Sequence, residues 1–419
     1  MAHVIISLAA LFFLGHVLNW FFIKTKIPDL LLLVGLGFVI GPVLGFVTPA
    51  DLGEVGAVLA TVALIVILYE GGLHLSTDDL KSSSLPAAGL SVLGFLLVVG
   101  TVTLIAKALS FESWRLCLLL GIGLGSTSSA IVIPMVKPLS INDRTKTVLS
   151  LESAFTDVLT IVTFLVILES IVKNQFSVQQ LIVGIGPKTV LAGLMGLGFG
   201  LLWSFVKKRF SEWIPKAFAG EAFALLTYGL IEASGHNGAI GVLVLGFTLA
   251  NLQLLPEWMK DMMSKKPVSY QEQTLLSEIT FLLRTFFFLY LGTLVKFSNF
   301  STVGIAIVVT LVLFALRYVT LRILFGKNHL SRLDAMVVTA MGPRGLACAV
   351  LATLPLQPKF YVPNGQWLQD IIFAVIPLTI LITAILVSLS ENVAFRNRMG
   401  SMFGLYPESA TEKDLEVTA

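Results

Sequence analysis

Charge is what this chain has least of. Only 13% of its 419 residues are Asp, Glu, Lys or Arg, against about a quarter in an ordinary soluble domain. That excludes a solvated charged surface of the usual extent. Cysteine is scarce as well. Cys117 and Cys348 both fall inside apolar stretches, which excludes a disulfide framework. No His/Cys cluster has the spacing of a transition-metal site. Ten-residue segments of alternating polarity are absent, which excludes a transmembrane β-barrel. The opening Met1-Ala2-His3 has no basic n-region, so the first apolar run is expected to be retained, not cleaved as a signal. The net charge is only +3, and the basic residues sit mostly in short loops, so nucleic acid is not an expected partner.

What is present is apolar sequence. Hydrophobic residues make up 56% of the chain and the mean hydropathy is +0.90. Apolar runs near twenty residues recur throughout, the length needed to cross a bilayer as a helix. The expected class is therefore an all-α polytopic membrane protein in contact with lipid. Thirteen spans are read near 4–23, 28–47, 56–75, 86–108, 113–137, 147–172, 187–207, 218–234, 238–254, 274–296, 301–325, 332–355 and 368–390. Loops after odd-numbered spans hold Lys24, Lys26, Lys81, Lys137, Arg144, Lys146, Lys207, Lys208, Arg209, Lys216, Lys260, Lys265, Lys266, Lys327, Arg332, Arg396 and Arg398. Those after even-numbered spans hold fewer: Lys107, Arg115, Lys173, Lys188, Lys296 and Lys359. The bias places the N-terminus outside and the C-terminus in the cytoplasm.

Two spans read as broken. The fifth contains Gly121-Ile-Gly-Leu-Gly-Ser-Thr-Ser-Ser-Ala130 and then Pro134, and the twelfth contains Met341-Gly-Pro-Arg-Gly345. Such residues at mid-span release backbone groups, which is tolerable only where they line a cavity or bind something. The second and ninth spans share a faint pattern, Val34 to Gly41 against Gly241 to Phe247. An offset of seven helices is odd, so repeats related by it have opposite topology. Inverted repeats with two broken, crossing helices are the expected architecture.

The acids lie beside these breaks. Asp157 sits near the middle of the sixth span, where a carboxylate costs roughly 3 kcal/mol or more and is retained for function. The alternative is a hydrogen-bonded core acid. Ser153 and Asp157 share one helix face, and Glu152 and Thr156 the adjoining one. With Thr127 and Ser128 hydroxyls and the carbonyls of the break, the donors are all hard oxygen, suited to an alkali cation or a proton. Arg317, in the eleventh span, needs a partner, and Glu152 is the natural one; snorkelling is the alternative. Arg344 is expected to serve the carbonyl ends of the second break. Glu70 is either a funnel ligand or an interfacial acid. Glu221, Glu232, Glu278 and Arg284 are expected to form internal pairs between the eighth and tenth spans.

These residues resemble the cation/proton antiporter superfamily, in particular the NhaP-type sodium/proton antiporters. The resemblance covers nearly the whole chain. It rests on Ile27-Pro28, the Gly41-Pro42 end of the second span, the Glu152-Ser153-x-x-x-Asp157 signature and Gly342-Pro-Arg-Gly345. It implies an antiporter domain over 1–390, with dimerisation and core parts interleaved in sequence, and a short cytoplasmic tail over 391–419. It further implies that Asp157 carries the ion and the proton, that Glu152 pairs with Arg317, and that Glu70, Thr127, Ser128, Ser153 and Thr156 lie at or near the cation.

There are two departures. Thr156 stands where such proteins commonly have Asn, or Asp in electrogenic relatives, and Thr127-Ser128-Ser129 stands where Thr-Asp-Pro is common. The Ser-rich break looks more like Kef-type potassium/proton members. About 30 residues after the last span leave no room for the nucleotide-binding domain those proteins often carry. The expectation is a homodimer of the plasma (inner) membrane, not an enzyme and without a cofactor. It exchanges sodium or lithium for protons in pH homeostasis, electroneutrally, with potassium/proton exchange as the alternative. An intramembrane aspartyl protease would need a second mid-span Asp, a serine protease a Ser–His pair, and a channel a filter loop; none is found.

Overall fold

The chain is described from a computed structural model, over residues 12–18, 20, 29–46, 49–73, 77–136, 139–173, 186–210, 218–264, 268–294, 300–326 and 330–407. Regular structure among these residues is entirely helical. Most of the first expected span lies outside them, as do Ile27-Pro28, Lys24, Lys26, Lys137, Lys216, Lys265, Lys266, Lys296, Lys327 and the tail beyond 407.

From the second span onwards the expected runs fall on helices. They are α1 (Asp29–Phe38), α2 (Pro49–Leu73), α3 (Thr77–Leu109), α4 (Trp114–Gly123), α5 (Ser129–Val136), α6 (Asp143–Val172), α7 (Gly186–Arg209), α8 (Ala219–Ala233) and α9 (Gly238–Ala250). The short α10 (Glu257–Lys260) precedes α11 (Tyr270–Leu294), α12 (Phe300–Leu324), α13 (Arg332–Ala340), α14 (Leu346–Thr353) and α15 (Gly365–Ser390). Two further short helices, α16 (Val393–Arg398) and α17 (Gly400–Phe403), end the described chain. At 30 residues, α6 is about 45 Å long, more than the roughly 30 Å hydrocarbon core. Among the described residues six helical stretches are long and apolar enough to cross a bilayer: Pro86–Leu109, Asp143–Val172, Val190–Arg209, Tyr270–Thr293, Ser301–Leu324 and Gly365–Ser390. Lys81, expected in a loop, belongs to the start of α3.

Helix ends follow local chemistry. α1 widens into a π-turn over Val39–Val43, where Pro42 lacks a backbone donor, and Gly45 closes it at φ +67°. Ser113 Oγ accepts from Leu116 N–H at the start of α4. Asn237 Oδ1 accepts from the N–H groups of Ala239 and Ile240 at the start of α9. Ser331 and Asp334 form a reciprocal capping box on α13.

The chain forms two compact units, each built from separated stretches. The first comprises residues 1–12, 49–82 and 165–287, and the second 13–48, 83–164 and 288–419. In the first, α9 packs between α2 and α7 through glycines. A Cβ on Gly246 would come within 2.4 Å of the Tyr69 carbonyl oxygen, and one on Gly196 within 2.1 Å of that of Gly241. Such close approach is how helices associate where lipid removes the hydrophobic driving force. In the second unit α15 packs against α4, α12, α13 and α14. Residues beyond α15 fold back: Tyr406, 1% exposed, donates its hydroxyl to the Phe325 carbonyl at 3.1 Å, and Arg332 N–H donates to the Pro407 carbonyl at 2.9 Å.

Candidate functional site: two interrupted helices beside Asp157

In the second unit, α4 stops at Gly123 and α5 starts at Ser129, while α13 stops at Ala340 and α14 starts at Leu346. Both interruptions fall in the Gly/Ser- and Gly/Pro-rich segments read as breaks, whereas Pro134, also read as part of the first, lies inside α5. The two irregular segments touch. Ser128 N–H donates to the Pro343 carbonyl at 2.8 Å. A Cβ on Gly345 would stand 2.0 Å from Ser128 Oγ and 2.4 Å from Ser128 Cβ, so only glycine admits this approach. Each segment thereby satisfies part of the backbone that the other leaves free, as buried irregular chain requires.

Asp157 of α6 reaches the start of α5. Its Oδ2 accepts from Ser129 Oγ at 2.9 Å and from Ser129 N–H at 3.4 Å. Ser128 is the cap of that helix, its carbonyl accepting from Ile131 and Val132 N–H. Asp157 thus closes a helix N-terminus, where backbone donors and the macrodipole favour a negative group. Its other oxygen, Oδ1, is buried with no partner at hydrogen-bond distance among the described residues, although the Ser126 hydroxyl also lies near this carboxyl. A buried, unpartnered carboxylate oxygen is rare enough to need a role. It is an available ligand for a hard cation or a proton.

Beside Asp157, Thr127 N–H donates to Thr156 Oγ1 at 3.2 Å, and the two hydroxyls lie 3.3 Å apart. Thr156 also donates to the Ser153 carbonyl at 3.1 Å. These bonds fix the break to α6. Ser153 itself is fully buried, and its hydroxyl donates to the Ser150 carbonyl at 2.9 Å.

Glu152 and Arg317 form a two-pronged ion pair. Arg317 Nη1 donates to Oε1 at 2.7 Å and Nη2 to Oε2 at 2.9 Å. The guanidinium Nε donates to the Val338 carbonyl at 2.9 Å. One arginine thus joins α12, α6 and the first half of the second broken helix. Both side chains are largely buried, where such geometry is needed to offset desolvation. Arg344 is 2% exposed. Its N–H donates to Thr379 Oγ1 at 3.0 Å and its Nη1 to the Gly342 carbonyl at 3.3 Å, while Nε has no partner. It lies within electrostatic reach of Asp157, Glu152 and Arg317.

The structure therefore brings together Asp157, Thr127, Thr156, Glu152, Arg317 and Arg344. Ser128 serves the crossing, with no hydrogen bond to Asp157. Glu70 lies in the last turn of α2, half-buried, in the first unit. Ser129, which does bond Asp157, was quoted as part of the break but not singled out. Thr379, which holds the Arg344 backbone, gave no sequence signal. Of the expected pairs in the first unit, Glu221 departs: both its oxygens are buried and unpartnered. Glu232 Oε2 accepts from Gly238 N–H at 3.0 Å, and Arg284 lies 5.5 Å from the Phe281 ring. Among the described residues no three His, Cys, Asp or Glu side chains converge as a metal cluster.

Known proteins resemble this chain in fold or in sequence. The sodium proton antiporter MjNhaP1 from Methanocaldococcus jannaschii matches in structure with a TM-score of 0.71 over 93% of this chain and 98% of that one, at 23% identity. The K(+)/H(+) antiporter NhaP2 of Shewanella sp. (strain ANA-3) is 26% identical over 77% of this chain and 55% of its own length. The Na(+)/H(+) antiporter ApNhaP of Aphanothece halophytica is 25% identical over 86% and 68%. The chain thus spans about half the length of the first of these sequence relatives. Residues 7–390 match the profile described as sodium/hydrogen exchanger, transmembrane, so the chain is an integral membrane protein that belongs to the sodium/hydrogen exchanger family.

Proposed function

We propose that this chain is a secondary antiporter, not an enzyme, exchanging sodium or lithium for protons at Asp157. The observation that carries this reading is the buried, unpartnered Oδ1 of a carboxylate whose other oxygen is held by the start of α5. That oxygen takes either a proton or a cation. Full affinity for both at once is excluded by charge, so the two compete. Thr127, Thr156, Ser128, Ser129 and Ser153 supply nearby oxygens. Arg344 balances the buried negative charge.

Exchange is one for one, because Thr156 cannot ionise and Glu152 is engaged by Arg317. Alternating access carries the single site from one side to the other, the unit with the broken helices being the moving core and the first unit the dimerisation part of a homodimer. The N-terminus faces outward and the C-terminus the cytoplasm, in the plasma membrane. A second reading, potassium/proton exchange, is favoured by the hydroxyl-only break Thr127-Ser128-Ser129 and by the printed name of the Shewanella relative. Proteoliposome flux under a proton gradient, with sodium, lithium and potassium in turn, tests both. Sodium- or lithium-driven proton movement supports the first, potassium-driven movement the second, and none with any cation refutes exchange.

A further inference from the structure

The first unit holds a separate group of buried acids that the exchange site does not use. Glu221, in the first turn of α8, is 3% exposed, and neither of its carboxylate oxygens has a hydrogen-bond partner. Glu272, in the first turn of α11, is 2% exposed. Its Oε2 accepts from Lys207 Nζ and from Ser269 N–H, but its Oε1 is buried and unpartnered. Tyr69 of α2, also 2% exposed, closes the group. A Cβ on Gly220 would stand 3.0 Å from the Tyr69 hydroxyl and 3.5 Å from Glu272 Oε1, so both oxygens face the same backbone. Glu221 follows directly, and it interacts electrostatically with Glu272, Lys207 and Tyr69.

Charge counting narrows the ligand. Among the described residues facing this group, two carboxylates meet one ammonium, Lys207. One negative charge is left when both acids are ionised. The starts of α8, with no side-chain cap on Phe218, and of α11 each contribute about half a positive charge. A monovalent cation or a proton matches the formal side-chain charge, whereas a divalent ion overshoots it. The donors are all oxygen, which selects a hard ion over a soft one.

We propose that Glu221, Glu272 and Tyr69 form a second site for an alkali cation, distinct from the exchange site and contested by a proton. Its ligands come from α2, α8 and α11, and Lys207 adds α7. Occupancy therefore ties four helices of the first unit together at one end.

The test is thermal unfolding of the purified full chain in lithium, sodium, potassium or choline chloride at equal ionic strength, carried out on Asp157→Asn protein so that the exchange site is disabled. The expected result is a saturable rise of about 2–4 °C with at least one alkali cation over choline. The rise is lost on adding Glu221→Gln, an isosteric change that removes the charge. Should that double variant not fold, Tyr69→Phe in its place is expected to weaken the rise. Glu221→Gln alone should retain cation/proton exchange in liposomes, which separates this site from the Asp157 reading. No alkali-dependent rise in Asp157→Asn protein, or a rise unchanged by Glu221→Gln or Tyr69→Phe, overturns the proposal.

Discussion

Asp157 gives its two oxygens different tasks. Oδ2 holds the first turn of α5 through Ser129, and Oδ1 is left for the transported ion. Asp157→Asn separates the tasks, because the amide keeps one oxygen that can accept from Ser129 but can neither release a proton nor neutralise a cation. The variant is expected to fold with a near-native unfolding temperature and to show no cation-driven proton flux in liposomes; substantial residual flux would remove Asp157 from the mechanism. Glu152 and Arg317 are a different case, since each is satisfied by the other. Glu152→Gln and Arg317→Ala should each cost about 3–5 kcal/mol by stranding a buried charge. The double variant should cost less than the two together. Additive losses in a thermal-unfolding cycle would show that the two side chains do not stabilise each other.

At the scale of elements, the crossing of the interrupted helices depends on a missing side chain. Gly345→Ala places a methyl group on Ser128. It should lower stability by about 1–3 kcal/mol, as overpacking does, and slow exchange more than a surface Gly→Ala change such as Gly304→Ala. Equal unfolding temperatures for the two variants would mean that the crossing relaxes freely. These interruptions were readable in the sequence because clustered glycine, serine and proline act locally: Gly342-Pro343 and the run from Gly121 to Ser129 both weaken a helix, although Gly121 and Gly123 themselves stay within α4. The long spans were readable for a related reason, since bilayer thickness fixes their length. Which hydroxyl meets Asp157 was not readable. Each residue turns a helix by about 100°, so whether Ser128 or Ser129 points at the carboxylate depends on which one opens α5. Ser153 shows a second limit: a serine inside a helix can bond the carbonyl of its own preceding turn, and here it does so. For Glu221, an ion pair between the eighth and tenth spans was the natural reading of an acid in an apolar run, but its surroundings are set by how α2, α7, α8 and α11 meet, which no local pattern encodes.

For the whole molecule, the proposed one-for-one exchange implies indifference to membrane voltage. In liposomes clamped at several potentials with potassium and valinomycin, initial rates of sodium-driven proton transport should not vary, and unclamped transport should build no potential. A rate that changes with potential and reverses with its sign would require a second proton carrier, with Glu152 the first suspect. The folding back of the chain after α15 also decides where the protein tolerates being cut or joined to something else. Tyr318 and Arg322 both donate to the Met402 carbonyl at 3.0 Å, and Pro407 accepts from the first residue of α13. A fluorescent reporter fused after Ser390 would delete these anchors from the helices that carry Arg317 and the second break, and should give a broadened, shifted peak in fluorescence-detected gel filtration. The same reporter fused after Pro407 leaves these anchors in place and should run as a single symmetric species.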